Sequence, residues 1–223
     1  MRYKGAIFDM DGVLFDTERI YQQTWQEIAA ERGLSLSGGF LQAVSGTNGA
    51  QMRHVIEEYY HVSDGAPIIE QCMMRMKQKL SVHVPMKKGV QEILAFFQEQ
   101  GIDIAVASSS SALRIESNLQ ITGIRDYFSK IVNGSEVTRG KPAPDIFLLA
   151  AKRLGHAPNT CFVFEDSVNG ITAGHAAGCF TVMVPDLIAV SPSIKPLCSA
   201  ICQDLGEAEE KIRRLITEHE IIS

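Results

Sequence analysis

The sequence predicts an α/β protein whose core is a parallel β-sheet, with a helical insert after the first strand. Short apolar strands alternate along the chain with helical segments of about ten residues, which is the pattern of βαβ units. Such units imply a parallel sheet, because each parallel strand needs a long crossover connection. The stretch between residues 15 and 83 carries helical patterns and no strand, so it cannot extend the sheet and should fold separately.

The insert should consist of helices that bury one face against each other. A first helix begins near Thr17 and ends near Gly33, a residue type typical of helix ends. Its apolar residues have the spacing of a single helix face and comprise Tyr21, Trp25, Ile28 and Ala29. The lone tryptophan is therefore expected in the core of the insert. Two further helices are predicted over residues 50–60 and 67–80.

The rest of the chain alternates regularly between strand and helix signals. Strands are predicted at residues 3–8, 102–107, 130–133, 160–164 and 180–184, with a weak one near Ala200. Helices are predicted at residues 89–100, in a segment ending near 121, at 144–154 and 169–177, and from 206 onward. The predicted domains are a core of residues 1–14 and 84–223 and a helical insert of residues 15–83.

Composition excludes several classes of protein. The 21 Lys and Arg against 26 Asp and Glu residues give a net charge of −5, which argues against nucleic acid as a partner. No apolar run approaches the ~20 residues of a membrane-spanning helix, and the run near the N-terminus is too short for a signal peptide. Five cysteines without framework spacing indicate free thiols. We therefore expect a cytoplasmic protein without a membrane partner, and a monomer.

Acidic residues stand directly after two of the buried strands. The first strand is followed by Asp9 and Asp11, and a later one by Glu165 and Asp166. Each pair also has a purely structural explanation, because Asp-Gly is a turn signal and Asp166 or Ser167 could cap the following helix.

Two further strand ends carry groups that can bind an anion. The strand at residues 102–107 leads into a serine run that begins at Ser108, whose hydroxyl and N–H groups suit a phosphate, although serine is also a common helix cap. Pro142 restricts Lys141 to an extended conformation, and Pro144 suits the first turn of the following helix, so the two prolines hold the lysine rigidly at a loop–helix junction. A solvated lysine needs no such restraint, so we favour a functional role for Lys141.

A parallel sheet brings these strand ends together at one edge, where ligands bind in such folds. Clustered carboxylates are unfavourable without a cation, and Mg²⁺ is the cation that uses few carboxylates together with a phosphate oxygen of the substrate. One carboxylate can then attack phosphorus, while another exchanges protons with the leaving group and with water. The sequence thus predicts a magnesium site and a phosphorylated substrate.

Four segments, Asp9–Glu18, Ser108, Lys141–Asp145 and Glu165–Ser167, match in order the motifs of the haloacid dehalogenase superfamily. The whole chain most resembles the β-phosphoglucomutase-like phosphatases of that superfamily. The resemblance implies a Rossmann-like core with an inserted helical-bundle cap, Mg²⁺ as cofactor and a small-molecule phosphate ester as substrate.

The resemblance also implies which residues bind the metal. Asp9 would be the nucleophile and a Mg²⁺ ligand, and Asp11 would be the general acid/base and offer its backbone carbonyl to the metal. Asp166 would bind the metal directly, and Glu165 would do so directly or through water. The presence of Asp11 separates this chain from the dehalogenases proper and from relatives that hydrolyse C–P bonds.

The same resemblance assigns the groups that hold the phosphoryl group. Ser108 and its neighbour Ser109 would bind the transferring phosphoryl group, and Lys141 would bridge that group and Asp9. The residues of the insert expected to face the substrate are Glu18, Gly46, Thr47 and Asn48.

In the insert, the resemblance to the mutases of this group weakens. Those mutases usually have a histidine where Tyr21 stands and an arginine where an ungapped alignment gives Gly49. The arginine would bind the second phosphate of a bisphosphate, and its planar fork is poorly replaced. Arg53, one helical turn further, could replace it, and this alternative stays open. Both departures favour hydrolysis over mutase activity.

We therefore expect Mg²⁺-dependent hydrolysis of a small phosphorylated metabolite, a sugar phosphate, through an aspartyl-phosphate intermediate. The insert should close over the cleft and exclude water during phosphoryl transfer. One alternative is a phosphomutase of the β-phosphoglucomutase type. An alternative of another class is a non-catalytic binding or regulatory protein on the same fold, against which the complete set of acids and lysine argues.

Overall fold

The chain folds into two units, and the two segments that join them, residues 14–16 and 85–87, are hydrogen-bonded to each other. The computed structural model describes residues 3–44, 47, 49–186 and 190–221. One unit comprises the residues up to 16 together with those from 85 onward, and the other comprises residues 17–84. The division falls slightly later than the sequence suggests because the joining segments belong to the larger unit. The Asp16 N–H donates to the Pro85 carbonyl over 2.9 Å, and the Lys87 N–H donates to the Leu14 carbonyl over 2.9 Å.

The larger unit is built on a parallel β-sheet. Its strands are β1 (Gly5–Phe8), β2 (Asp103–Ser108), β3 (Lys130–Asn133), β4 (Cys161–Glu165), β5 (Phe180–Met183) and β6 (Ala200–Ile201). Among the described residues these six strands form one sheet in the order β3-β2-β1-β4-β5-β6, and all neighbours are parallel. The predicted α/β fold class is therefore confirmed, and β1 lies at the centre of the sheet.

The helical insert consists of α1 (Thr17–Glu31), α2 (Gly38–Val44), α3 (Gly49–Tyr60) and α4 (Ala66–Val82). Trp25 is fully buried, as predicted, and its ring packs edge-on against Tyr21, Phe40 and Tyr60. The sequence does not predict α2, because this helix starts with two glycines, which disfavour helix formation. Phe40 compensates by packing on the indole ring of Trp25, so tertiary contact stabilises α2.

The helices of the larger unit are α5 (Val90–Glu99), α6 (Ala112–Ile121), α7 (Asp145–Leu154), α8 (Val168–Ala176) and α9 (Leu205–Ile221). Two of them begin at serine caps. The Ser111 hydroxyl accepts from the Arg114 N–H at the start of α6, and the Ser167 hydroxyl accepts from the Gly170 N–H at the start of α8. Of the residues that the sequence offers as helix caps, Ser167 caps α8, whereas Asp166 does not. The cap of α6 is Ser111 and not Ser108.

Aromatic packing fixes β1 beside β4. Phe8 and Phe164 are paired across these strands, and their rings stack with centroids 4.3 Å apart. Both side chains are fully buried. The Asp9 N–H extends this pairing by donating to the Phe164 carbonyl over 3.0 Å. The register therefore sets Asp9 directly beside Glu165, the residue that follows Phe164.

All five cysteines lie among the described residues, and each is a free thiol, as predicted. Within the described ranges, no helix combines the length and the apolar character that crossing a bilayer requires.

Candidate active site

Lys141 joins two carboxylates at the carboxyl edge of the sheet. Its Nζ donates to Oδ1 of Asp9 at 2.5 Å and to Oε1 of Glu165 at 2.5 Å. These contacts bring together residues 132 and 24 positions apart in the sequence. The side chains of Lys141, Asp9 and Glu165 are only 9%, 10% and 1% exposed, so the ion pairs are largely removed from water. We call these three side chains the acid–lysine group.

The surroundings of Lys141 keep it charged. Burial alone would lower its pKa, but the neighbouring carboxylates of Asp9 and Glu165 outweigh burial and raise the pKa above its ordinary value. The ammonium also lies 5.0 Å from the centre of the Phe147 ring, a favourable cation–π distance. Lys141 is therefore a fixed, permanently positive group in this site.

Glu165 is held in place by donors from its own chain. While Oε1 accepts from Lys141, Oε2 accepts from the backbone N–H groups of Asp166 and Ser167 and from the Ser167 hydroxyl, over 2.9–3.1 Å. Gly170 packs so closely that a Cβ atom there would overlap the Glu165 carboxylate. With both oxygens engaged, Glu165 is arranged to position Lys141.

Asp166 lies against the turn that follows β1. The Asp11–Gly12 pair forms the predicted turn, in which the Gly12 N–H donates to the Phe15 carbonyl over 2.9 Å. Gly12 has a φ of 83°, and a Cβ atom there would overlap the Asp166 carboxylate. Glycine is thus required at position 12 both by the left-handed backbone and by the close approach of Asp166.

The site disfavours the ionised forms of Asp9 and Asp166. Burial raises the pKa of Asp9 to about 7, against the opposing effect of Lys141. Burial also raises the pKa of Asp166 to about 8, with further contributions from the charges of Glu165 and Asp9. A cation between the two aspartates would relieve this repulsion, and carboxylate oxygens are the donors that a hard divalent ion prefers.

The described residues contain no group of three or more His, Cys, Asp or Glu side chains that converges into a complete metal site. Both oxygens of Glu165 and both oxygens of Asp11 accept hydrogen bonds, whereas Lys141 contacts Oδ1 of Asp9. Two carboxylates, Asp9 and Asp166, remain for a cation. This number still suits Mg²⁺, which commonly uses one or two carboxylates and completes its shell with water and substrate phosphate.

Asp11 contacts two residues that the sequence analysis did not single out. Its Oδ2 accepts from the Ser110 hydroxyl at 2.8 Å, and its Oδ1 accepts from Nη2 of Arg114 at 2.8 Å. One sequence signal could have revealed Arg114. Arg114 falls in the first turn of a predicted helix, at the positive end of the helix dipole. A cation is unfavourable there unless a carboxylate lies nearby.

Ser108 and Ser109 lie where β2 ends, as predicted. Ser108 is buried, and its hydroxyl accepts from the Ser110 N–H over 3.2 Å. Ser109 is exposed, and its backbone packs on Gly134, where an added Cβ would lie 3.0 Å from the Ser109 carbonyl oxygen. The residue that follows β3 therefore supports the loop closely, while Ser109 is exposed.

The residues predicted to face the substrate from the insert are only partly described. Gly46 and Asn48 lie outside the described residues. Glu18 lies in the first turn of α1, and the Thr47 hydroxyl donates to the Val44 carbonyl over 2.7 Å. Arg53 is exposed on α3 and lines a pocket of about 480 Å³ within the insert, between the starts of α3 and α4.

The parallel sheet, the helical insert after β1 and the buried acid–lysine group together define a Rossmann-like α/β protein with a polar site at the carboxyl edge of its sheet. A family model described as haloacid dehalogenase-like hydrolase matches residues 6–184, and the chain belongs to this family. The superfamily predicted from the four motifs is thereby confirmed.

Individual relatives agree with this assignment. The chain is 34% identical over 189 residues to a protein of Drosophila melanogaster named probable pseudouridine-5'-phosphatase, with 81% of each chain covered. It is 30% identical over 185 residues to hexitol phosphatase B of Escherichia coli K12, covering 81% of this chain and 82% of that relative. A solved structure from Thermotoga maritima, provisionally named β-phosphoglucomutase, has a TM-score of 0.83 and 26% identity, covering 95% of this chain and 99% of that one. These relatives confirm the predicted β-phosphoglucomutase-like subgroup and the prediction that the chain is a phosphatase.

The acid–lysine group leads to a prediction about stability. Lys141→Met should destabilise the protein by about 3–5 kcal/mol at neutral pH, because it leaves the Asp9 and Glu165 carboxylates buried without a cation. Adding Glu165→Gln should recover part of this loss by removing one of the two charges. Urea unfolding of both single variants and the double variant, without added metal, measures the coupling. Strictly additive effects would show that the contacts do not stabilise one another.

Proposed function

We propose that this chain is a Mg²⁺-dependent phosphatase that hydrolyses a small phosphorylated metabolite, a sugar phosphate, through an aspartyl-phosphate on Asp9. The observation that carries the proposal is the contact of the Asp9 carboxylate, at the end of the central strand, with the buried Lys141 ammonium. Relatives named as phosphatases of pseudouridine-5'-phosphate and of hexitol phosphates support the substrate class.

The first half of the reaction transfers the phosphoryl group to the enzyme. Lys141 holds Oδ1 of Asp9, and we propose that Oδ2 attacks phosphorus. The bond from phosphorus to the alcohol oxygen breaks, and Asp11 gives that oxygen a proton. The Lys141 ammonium, the Ser108 hydroxyl and the N–H groups of the loop after β2 are placed to offset the charge on the phosphoryl oxygens.

The second half returns the enzyme to its starting state. Asp11, now a carboxylate, takes a proton from water as the water oxygen attacks phosphorus. The bond between phosphorus and Asp9 breaks, and inorganic phosphate leaves. One carboxyl group thus serves as acid and then as base, which explains why the family motif places it beside the nucleophile.

The residues that would hold Mg²⁺ are Asp9, Asp166 and the backbone carbonyl of Asp11. When bound, the ion would neutralise charge shared between these carboxylates and the phosphoryl group. The raised pKa values of Asp9 and Asp166 support this proposal, because burial and neighbouring carboxylates make their ionised forms unfavourable without a further cation. Glu165 would act on this set through Lys141 or through water.

We further propose that the insert serves as a cap that excludes water, and that the enzyme acts as a monomer in the cytoplasm on a small-molecule phosphate ester. The position of the insert in the chain, directly after the turn that carries Asp11, supports the first part. Free thiols at all five cysteines support a reducing compartment.

Phosphate release gives the first test. Purified protein with Mg²⁺ should release inorganic phosphate from one or more members of a panel of hexose, pentose, hexitol and nucleoside monophosphates. Asp9→Asn should lower kcat by at least about 10³-fold, because it removes the attacking oxygen while keeping the size of the side chain. Circular dichroism and thermal melting should show that the variant stays folded. Turnover by folded Asp9→Asn at near wild-type rates would exclude Asp9 as the nucleophile.

The metal proposal predicts how stability depends on pH. Because the pKa values of Asp9 and Asp166 are raised to about 7 and about 8, the folded state binds more protons than the unfolded state between about pH 4 and 8. The metal-free protein should therefore lose stability as pH rises through this window, and Mg²⁺ should raise the melting temperature at pH 8 more than at pH 5.

Asp166→Asn provides the control for this measurement. It removes one of the two ionising groups and one proposed metal ligand, so both the pH-dependent loss and the stabilisation by Mg²⁺ should become smaller. A Mg²⁺ effect on the melting temperature that is equal in the variant and the wild type would exclude Asp166 as a ligand.

A phosphomutase is the second candidate, favoured by the similarity to the Thermotoga maritima structure. The two functions separate in an assay of β-glucose 1-phosphate with and without glucose 1,6-bisphosphate. We expect phosphate release without a requirement for the bisphosphate, because the insert has Gly49 where the mutases carry an arginine. Isomerisation that outruns phosphate release, and depends on the bisphosphate, would favour the mutase.

A further inference from the structure

Residues that follow β2 hold the Asp11 carboxylate from two sides. The Ser110 hydroxyl donates to one oxygen and the Arg114 guanidinium to the other, each over 2.8 Å. The partners lie 99 and 103 positions from Asp11 in the sequence, so only the fold brings them together. A carboxyl group can carry a proton and still accept hydrogen bonds.

Arg114 stands in a place that a surface cation does not normally favour. It lies in the first turn of α6, where its own N–H donates to the capping hydroxyl of Ser111 over 3.4 Å. The exposed N–H groups of this turn form the positive end of the helix dipole, which repels a cation and attracts an anion. The carboxylate of Asp11 compensates for the charge of Arg114 at this position, so the contact is more than a chance surface ion pair.

Asp11 differs from the acid–lysine group in what can fix its orientation. The Lys141 and Asp9 side chains are 9% and 10% exposed and are enclosed by protein, whereas the Asp11 and Arg114 side chains are 34% and 42% exposed. Packing therefore restrains Asp11 much less than it restrains Asp9. The hydrogen bonds from Ser110 and Arg114 therefore contribute to fixing its orientation.

We propose that Arg114 is a positioning residue for Asp11, which it holds within reach of the leaving-group oxygen. This inference rests on the proposed function, in which Asp11 protonates that oxygen. A general acid works only within hydrogen-bond distance of its target, and a displacement of about 1 Å can cost up to about 100-fold in rate. Arg114 acts through Asp11 and contributes no group to the reacting atoms.

The test compares two substrates whose leaving groups differ in their need for a proton. Phenyl phosphate and p-nitrophenyl phosphate have similar shapes, but nitrophenolate leaves without protonation far more readily than phenolate. Arg114→Met should lower kcat/KM about tenfold for phenyl phosphate and less than about twofold for p-nitrophenyl phosphate. Arg114→Lys should restore most of the activity toward phenyl phosphate, because an ammonium can still donate to Asp11.

Arg125→Met is the matched control. Arg125 lies after α6 and pairs with Glu116 of that helix, and its side chain is 36% exposed, close to the 42% of Arg114. The Arg125→Met variant should have the same kcat/KM as the wild type for both phenyl phosphate and p-nitrophenyl phosphate. A purely structural role of Arg114 would lower kcat/KM for both esters equally, and this outcome would overturn the proposal, as would an unchanged or higher value for phenyl phosphate.

Asp11→Asn, measured beside these variants, separates this inference from the proposed function. If Asp11→Asn shows the leaving-group dependence and Arg114→Met does not, Asp11 is the acid and only the role of Arg114 is wrong. If Asp11→Asn shows no such dependence, the acid/base role of Asp11 fails, and the positioning role of Arg114 fails with it.

Discussion

A buried ammonium shared by two carboxylates is the contact on which the organisation of this site depends. Lys141 reaches Asp9 and Glu165 at the end of adjacent strands, and all three side chains are nearly closed to water. Removing charge from water is costly, so the contact exists only because each partner is supplied by a rigid element. Stacking of Phe8 on Phe164 supplies that rigidity for the two carboxylates, since it fixes the strands that carry them.

The charges divide the site into a closed part and an open part. The acid–lysine group is enclosed, and its excess negative charge extends to Asp166, where burial and repulsion raise the pKa. Asp11 and Arg114 form the open part, in which hydrogen bonds rather than packing set the geometry. In the reaction proposed above, the closed part would keep water from the attacking carboxylate, and the open part would let the alcohol leave and water enter.

Much of the fold and of the site follows from the sequence. The strands are recognisable because they are short apolar runs between turn signals, and the acids at their ends must share one edge of a parallel sheet. Helix α2 is not recognisable, because its glycines oppose helix formation and tertiary contacts, among them the packing of Phe40 on Trp25, stabilise it. Likewise, the sequence cannot say which serine caps α6, since Ser108 and Ser111 have the same hydroxyl and differ only in backbone position.

Local patterns, with the rule that parallel strands share an edge, are enough to predict the parallel core, the helical insert and the grouping of Asp9, Asp11, Lys141 and Asp166. Only the tertiary structure decided that Glu165 faces Lys141 and that Arg114 and Ser110 hold Asp11. The physical reason is that such contacts join side chains far apart along the chain, and their partners depend on strand register, helix position and rotamer, which no local pattern encodes.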